Sequence, residues 1–204
     1  MDKNVTTIFL SKALTIAFTR LAGSVSPILP VWFVFSYFVL RKINYFISDV
    51  RFADLSKDLF KSGTMTERMF SMILGVATLF LFIVAGYYVI EPYMFFLWTA
   101  CALLINILWI AVLRILVDPV KDRNPNLTIR TLFKNYIIIN AFEILICLVS
   151  GLWLSGKWQW PGMTFETIQP WVFGVSLGLL GFIMLLDLLL HKVFLFDYEY
   201  KCEP

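Results

Sequence analysis

Four long apolar stretches divide the latter part of the chain, at residues 69–90, 93–117, 135–155 and 171–195. At a rise of about 1.5 Å per residue, each is long enough to cross the roughly 30 Å of a bilayer's hydrocarbon as a helix. This pattern predicts an all-α, polytopic membrane protein: a four-transmembrane-helix bundle over residues 65–204, preceded by a segment of another kind over residues 1–64. The first two stretches are separated by Glu91-Pro92. Because the residue before a proline is pushed out of the helical region, this dipeptide marks a tight hairpin.

Residues 1–64 are patterned differently. The run from Ile28 to Leu40 is apolar but short, contains Pro30 and follows Pro27, which suits a re-entrant or interfacial element better than a clean span. Both its flanks are basic, with Lys3, Lys12 and Arg20 before it and Arg41 and Lys42 after it, so a full crossing would leave three positive charges outside. The expectation is therefore that residues 22–40 do not span, with spanning as the alternative. Residues 4–22 mix apolar positions with Thr, Ser and Lys at a loose helical period, which predicts a helix lying on the inner leaflet. Residues 49–66 read as a polar cytoplasmic helix or linker.

Composition strengthens the membrane reading, since 60% of the 204 residues are hydrophobic, 15% are charged and the mean hydropathy is +0.81. A soluble domain carries roughly 25% charged residues. The net charge of +3 is too small to argue for direct nucleic-acid binding, and the basic residues sort by membrane side instead. Arg41, Lys42, Arg51, Lys57, Lys61 and Arg68 precede the first stretch, and Lys121, Arg123, Arg130 and Lys134 fill the connection before the third. The hairpin tip has none. The positive-inside rule then runs the four spans out, in, out and in across a cell inner (plasma) membrane, with a cytoplasmic C-terminus marked by His191, Lys192 and Lys201. Trp153, Trp158, Trp160 and Trp171 around the loop 156–170 suit an outer aromatic belt. The N-terminal residues lack a signal-peptide pattern.

Within this frame Glu143 is the most informative residue, because an ionisable group inside a span is costly and usually faces a bundle interior or a wet cavity. Tyr136, Asn140, Glu143, Cys147 and Ser150 follow spacings of three and four and form one stripe. Such a stripe either lines a path for water, ions or protons or forms a polar seam bonded to neighbouring helices. Asp187 is expected at the level of Glu143, about 12 Å from the inner end, and Arg114 enters from that end with a stem long enough to approach either carboxylate. Arg114 could equally reach lipid phosphates. His191 follows Asp187 by four positions, either as a proton-exchanging pair or as an interfacial histidine beside Lys192. Asn106 needs an interhelical partner, and Gly174, Gly178 and Gly181 allow close helix packing within or between subunits.

No phosphate-binding loop, zinc-protease motif, nucleophile elbow or potassium filter occurs in the sequence, and its three cysteines, Cys101, Cys147 and Cys202, have no metal-ligand or disulfide spacing. The expectation is a protein that is not an enzyme, with no catalytic residues, metal or cofactor. Two functions fit. One is a non-catalytic membrane subunit, a sensor or anchor that binds a cytosolic protein partner through the basic surface of Lys121, Arg123, Arg130 and Lys134, aided by the surface over 41–68 and the tail. The alternative is a small homo-oligomeric ion channel or transporter lined by the Glu143 stripe.

With spans over Met69–Ile90, Tyr93–Val117, Asn135–Ser155 and Trp171–Leu195 and a basic inner face, the chain resembles, over its whole length and in architecture, the KwaA membrane subunits of the bacterial Kiwa anti-phage system. The resemblance implies a homo-oligomeric inner-membrane sensor of phage attack, working in antiviral defence with a cytosolic, DNA-associated partner, KwaB. It carries over no individual residue.

Overall fold

The computed structural model describes residues 3–23, 65–116, 129–156 and 171–189, the last without 173, 184, 187 and 188. Among these residues all regular structure is helical: α1 (Lys3–Ala22), α2 (Met65–Tyr87), α3 (Pro92–Leu116), α4 (Ile129–Leu154) and the ten-residue α5 (Gly174–Ile183). Three helices, over Met69–Tyr87, Pro92–Leu116 and Thr131–Leu154, are long and apolar enough to cross a membrane. The run Ile28–Leu40 and the polar stretch 49–66 lie outside the described residues.

Local chemistry fixes the helix ends. After Tyr87 the chain turns through residues 88–91, with the Glu91 amide donating to the Tyr88 carbonyl at 2.9 Å. The Glu91 carbonyl then accepts from Phe95 at 2.9 Å and so opens α3, and Pro92 occupies the first helical position, where its missing N–H costs nothing. At the far end of α4, Gly156 adopts φ +71°, the left-handed conformation that stops a helix without a Cβ clash.

The helices pack in chain order, α1 on α2, α2 on α3 and α3 on α4. Phe82 of α2 packs with Ala102 and Leu103 of α3, while Ala85, Val89, Phe95, Phe96, Ala100, Cys147, Leu154 and Leu180 form the larger core with Ala13 and Ala17 of α1. At the end opposite the hairpin, Trp109 Nε1 donates to Ser71 Oγ at 3.0 Å and ties α3 to α2. Gly151 marks a close approach of α3 and α4. A Cβ there would lie 2.9 Å from Leu97 Cγ and 3.2 Å from the Tyr93 carbonyl oxygen. Leu97 can yield, but the backbone oxygen cannot. Gly151→Ala is therefore expected to lower stability by about 1–3 kcal/mol, read as a reduced midpoint in thermal unfolding in detergent. An unchanged midpoint would show that the two helices do not approach this closely.

The surface is inverted relative to a soluble protein. Met69, Phe70, Met72, Ile73, Phe80, Leu104, Phe142, Leu145 and Leu152 are exposed, while Thr78, Thr99, Asn106, Asn140, Glu143, Ser150 and Ser176 are buried. Hydrocarbon accepts the first set at no cost and cannot hydrogen-bond the second. This distribution suits a bilayer as solvent.

Helix α1 is not set apart on a surface. Ala13 and Ala17 are buried against the hairpin, and Arg20 binds its tip: Nε donates to the Tyr87 carbonyl at 3.2 Å, Nη2 lies 3.7 Å from Glu91 Oε1, and the guanidinium lies 4.4 Å from the Tyr87 ring centre. The charge pattern assigns α1 to the inner leaflet and the Glu91-Pro92 turn to the opposite side. The structure joins these two places, so the assignments are incompatible. The physical reason is that α1 docks by small residues, which leave no wide apolar stripe in the sequence.

Candidate functional site

The polar residues of the bundle collect along α4. Asn140, Glu143, Cys147 and Ser150 are buried, with Glu143 fully enclosed, and Tyr136 is half-buried. All lie on the face that α4 turns to its neighbours, whereas Phe142, Leu145, Leu148, Val149 and Leu152 between them are exposed. A spacing of three and four produces this division on any helix.

Near the hairpin end the stripe meets α5. Ser150 Oγ donates to Ser176 Oγ at 2.6 Å, and Ser176 Oγ donates to the Val172 carbonyl, also at 2.6 Å. Ser150 Oγ is also 2.6 Å from the Ile146 carbonyl. A hydroxyl has one proton, so Ser150 can serve one of these acceptors at a time. The pair forms a short polar bridge in an otherwise apolar contact made by Leu177 and Leu180.

The buried face of α3 carries two further polar groups. Thr99 Oγ1 and Asn106 Oδ1 are buried and have no hydrogen-bond partner among the described residues. Thr78 of α2, by contrast, donates to its own Leu74 carbonyl at 3.0 Å. Thr99 and Asn106 are seven residues apart and share one face of α3. Gly151 sits opposite Leu97 and Tyr93, so α3 and α4 are antiparallel. Moving eight residues along each helix, about 12 Å, takes Gly151 to Glu143 and Leu97 to Ile105, the neighbour of Asn106. Glu143 and Asn106 therefore share a level, and Thr99 lies close to the level of Ser150. The result is a polar column through the bundle interior, with hydroxyls near the hairpin end and a carboxyl with an amide deeper in.

The other residues singled out by sequence have separate locations. Arg114 is exposed near the end of α3, and among the described residues no ion pair joins it to Glu143. Asp187 and His191 lie outside the described residues, as do Lys121 and Arg123. Arg130 falls in the first turn of α4, and Lys134 is exposed one turn further on. Gly174 and Gly178 are exposed and Gly181 is half-buried. A Cβ on any of them would meet nothing within 4 Å among the described residues. These glycines thus do not serve packing among the described helices. Among the described residues no group of three His, Cys, Asp or Glu side chains could hold a metal ion.

Sequence reasoning passed over Thr99 and the Arg20–Tyr87–Glu91 cluster. Thr99 was findable, since it stands two helical turns before Asn106 on the same face. The Arg20 cluster had no local signal, because Arg20 is 67 residues from Tyr87 and further still from Glu91.

Fold and site together define a polytopic α-helical membrane protein with a polar interior. No protein-family model, curated protein or solved structure matches the chain.

Proposed function

We propose that this chain is a non-catalytic subunit of a membrane assembly, acting as sensor or anchor for a cytosolic protein. The observation that carries this reading is the outward stripe of Gly174, Gly178 and Gly181, where open space stands at every Cβ. Such a stripe lets the backbone of another helix approach closely, which is how membrane helices associate without a hydrophobic driving force. The same reading takes 171–195 as a fourth span, giving an inner-membrane core with a cytoplasmic C-terminus and its basic connection 118–134 facing the cytosol. The resemblance to KwaA subunits adds antiviral defence as the biological setting and a soluble partner on that face.

Affinity purification from native membranes in mild detergent tests the proposal. A soluble protein is expected to co-elute in fixed ratio, and its yield to fall about tenfold when Lys121, Arg123, Arg130 and Lys134 are all changed to Glu. A homo-oligomer eluting alone, or a yield indifferent to the reversal, would sink it.

Conduction is the second reading. It is favoured by Thr99 Oγ1 and Asn106 Oδ1, buried acceptors that water or an ion in the column would satisfy.

A further inference from the structure

Lys12 is an exposed cation halfway along α1, nine residues from Lys3 and eight from Arg20. Where that midpoint sits decides what can surround it. Arg20 fixes the C-terminal end of α1 at the hairpin tip through Tyr87 and Glu91, and Ala13 and Ala17 lie buried against the hairpin core. The twenty residues of α1 amount to about 30 Å, the thickness of the hydrocarbon. Packed along α2 with both C-terminal ends together, α1 places Lys12 about 13–15 Å from either of its ends. Phe80, seven residues before Tyr87 and exposed on α2, lies at the corresponding depth.

Charge bookkeeping along the sequence supports an upright α1. Helices α1 and α2 then run in the same direction. Lys3 falls at the inner end of α1, and Arg20 falls at the outer end, where Glu91 faces it as a counter-charge.

The side of α1 facing away from Ala13 and Ala17 presents Ser11, Lys12, Thr15 and Thr19, all exposed. Thr15 and Thr19 donate to the carbonyls of Ser11 and Thr15 at 2.8 and 2.9 Å, so the two threonines are tolerable in lipid. Lys12 is not. An ammonium at this depth requires water or a counter-charge, and its stem is too short to reach headgroups from mid-membrane. A soluble partner cannot enter there. The occupant that meets the requirement is a further copy of this chain across a water-filled seam.

We propose that α1 stands upright beside α2 and turns its Ser11–Lys12–Thr15–Thr19 face to the same face of neighbouring copies, so that a ring of Lys12 side chains lines an aqueous path for small inorganic anions. Rings of lysine or arginine are what select anions in membrane pores. The outward glycine stripe on α5 supplies a second contact by which copies can assemble.

The test uses the full chain in proteoliposomes, with exposed Cys101 and the tail's Cys202 changed to Ala and buried Cys147 retained. Thr15→Cys is expected to react with an anionic, membrane-impermeant methanethiosulfonate about tenfold faster than Phe80→Cys, and to lose most of that advantage when Lys12→Gln is added. Chloride flux is expected to fall about tenfold in Lys12→Gln and to be retained in Lys12→Arg, which keeps the charge and reports an intact fold. Equal rates at Thr15→Cys and Phe80→Cys would overturn the water-filled face. A Thr15→Cys rate equal to that of Lys3→Cys would overturn the upright placement, and flux indifferent to Lys12→Gln would overturn the anion path. Capture of a soluble partner enters none of these measurements, so they stand or fall apart from the subunit reading.

Discussion

Glu143→Lys is expected to prevent the bundle from assembling in its native form, at a cost of at least about 4 kcal/mol. Glu143 is fully enclosed at the level of Asn106, and the adjacent Ile144 packs on Phe82, Ala102 and Leu103. A carboxyl can shed its charge by taking up a proton, and it then donates a hydrogen bond. A lysine is longer, bulkier in its stem and cationic, so the site must both expand and desolvate an ammonium. Glu143→Gln separates shape from charge. Its amide has the same outline and can donate to an acceptor such as Asn106 Oδ1, so its unfolding midpoint in detergent is expected within about 1 kcal/mol of the parent protein. Size-exclusion profiles and thermal midpoints of the two variants read the outcome directly. A monodisperse Lys variant with a parental midpoint would mean that residue 143 is not enclosed. If the column conducts, the Gln variant also loses ion flux, whereas a sealed seam leaves partner capture unaffected.

The location of Glu143 shows what periodicity can and cannot supply. Spacings of three and four put Tyr136, Asn140, Glu143, Cys147 and Ser150 on one side of α4, and hydrocarbon's intolerance of polar groups says that this side should face protein. Neither argument says which helix stands opposite, nor at what level. Those facts depend on Gly151, whose missing side chain lets Leu97 and the Tyr93 carbonyl come close and so fixes the register of α3 on α4. Arg114 illustrates the converse. Chain length allowed it to approach a carboxylate, but it sits some nine positions beyond the level of Glu143 on α3 and on an exposed side. The glycine motif was equally readable as a motif and equally silent on direction. Only the open space at Gly174, Gly178 and Gly181 shows that it points away from the described helices.

Three long apolar helices were legible because bilayer thickness sets a length that few soluble elements reach. The contact between α1 and the hairpin tip was not legible, for a reason specific to membranes. Transmembrane contacts are built from small residues as often as from large ones, and Ala13 and Ala17 look like nothing in a hydropathy profile interrupted by Lys12 and four threonines. The basic residues then drew α1 to the inner surface, since the rule that sorts them counts charges and not their partners. Arg20 has such partners in the Tyr87 carbonyl, the Tyr87 ring and Glu91. With side chains 33% and 41% exposed, the ion pair itself contributes little. Its role is to fix where α1 ends.

Docking of α1 should therefore fail when its small contact is enlarged, even though Arg20 is untouched. Ala17 has no exposed surface and sits in the core that includes Ala85 and Val89. Leucine at this position adds three carbons where close-packed atoms leave no room, and a helix held mainly by one narrow face has few other contacts to absorb the strain. Ala17→Leu is expected to weaken docking by roughly 3 kcal/mol, which at room temperature is about a hundredfold in the equilibrium between docked and undocked α1. Hydrogen exchange in detergent micelles reads this locally. Amides of α1 should lose protection in Ala17→Leu while those of α3 and α4 keep theirs, because local opening follows the contacts of each element. Ala22→Leu, at the exposed end of the same helix, adds the same three carbons as a control and should leave exchange unchanged. If both variants exchange like the parent protein, α1 is not held by Ala17. If α3 and α4 open together with α1, the helix is an integral part of the core and no longer an element that docks on it.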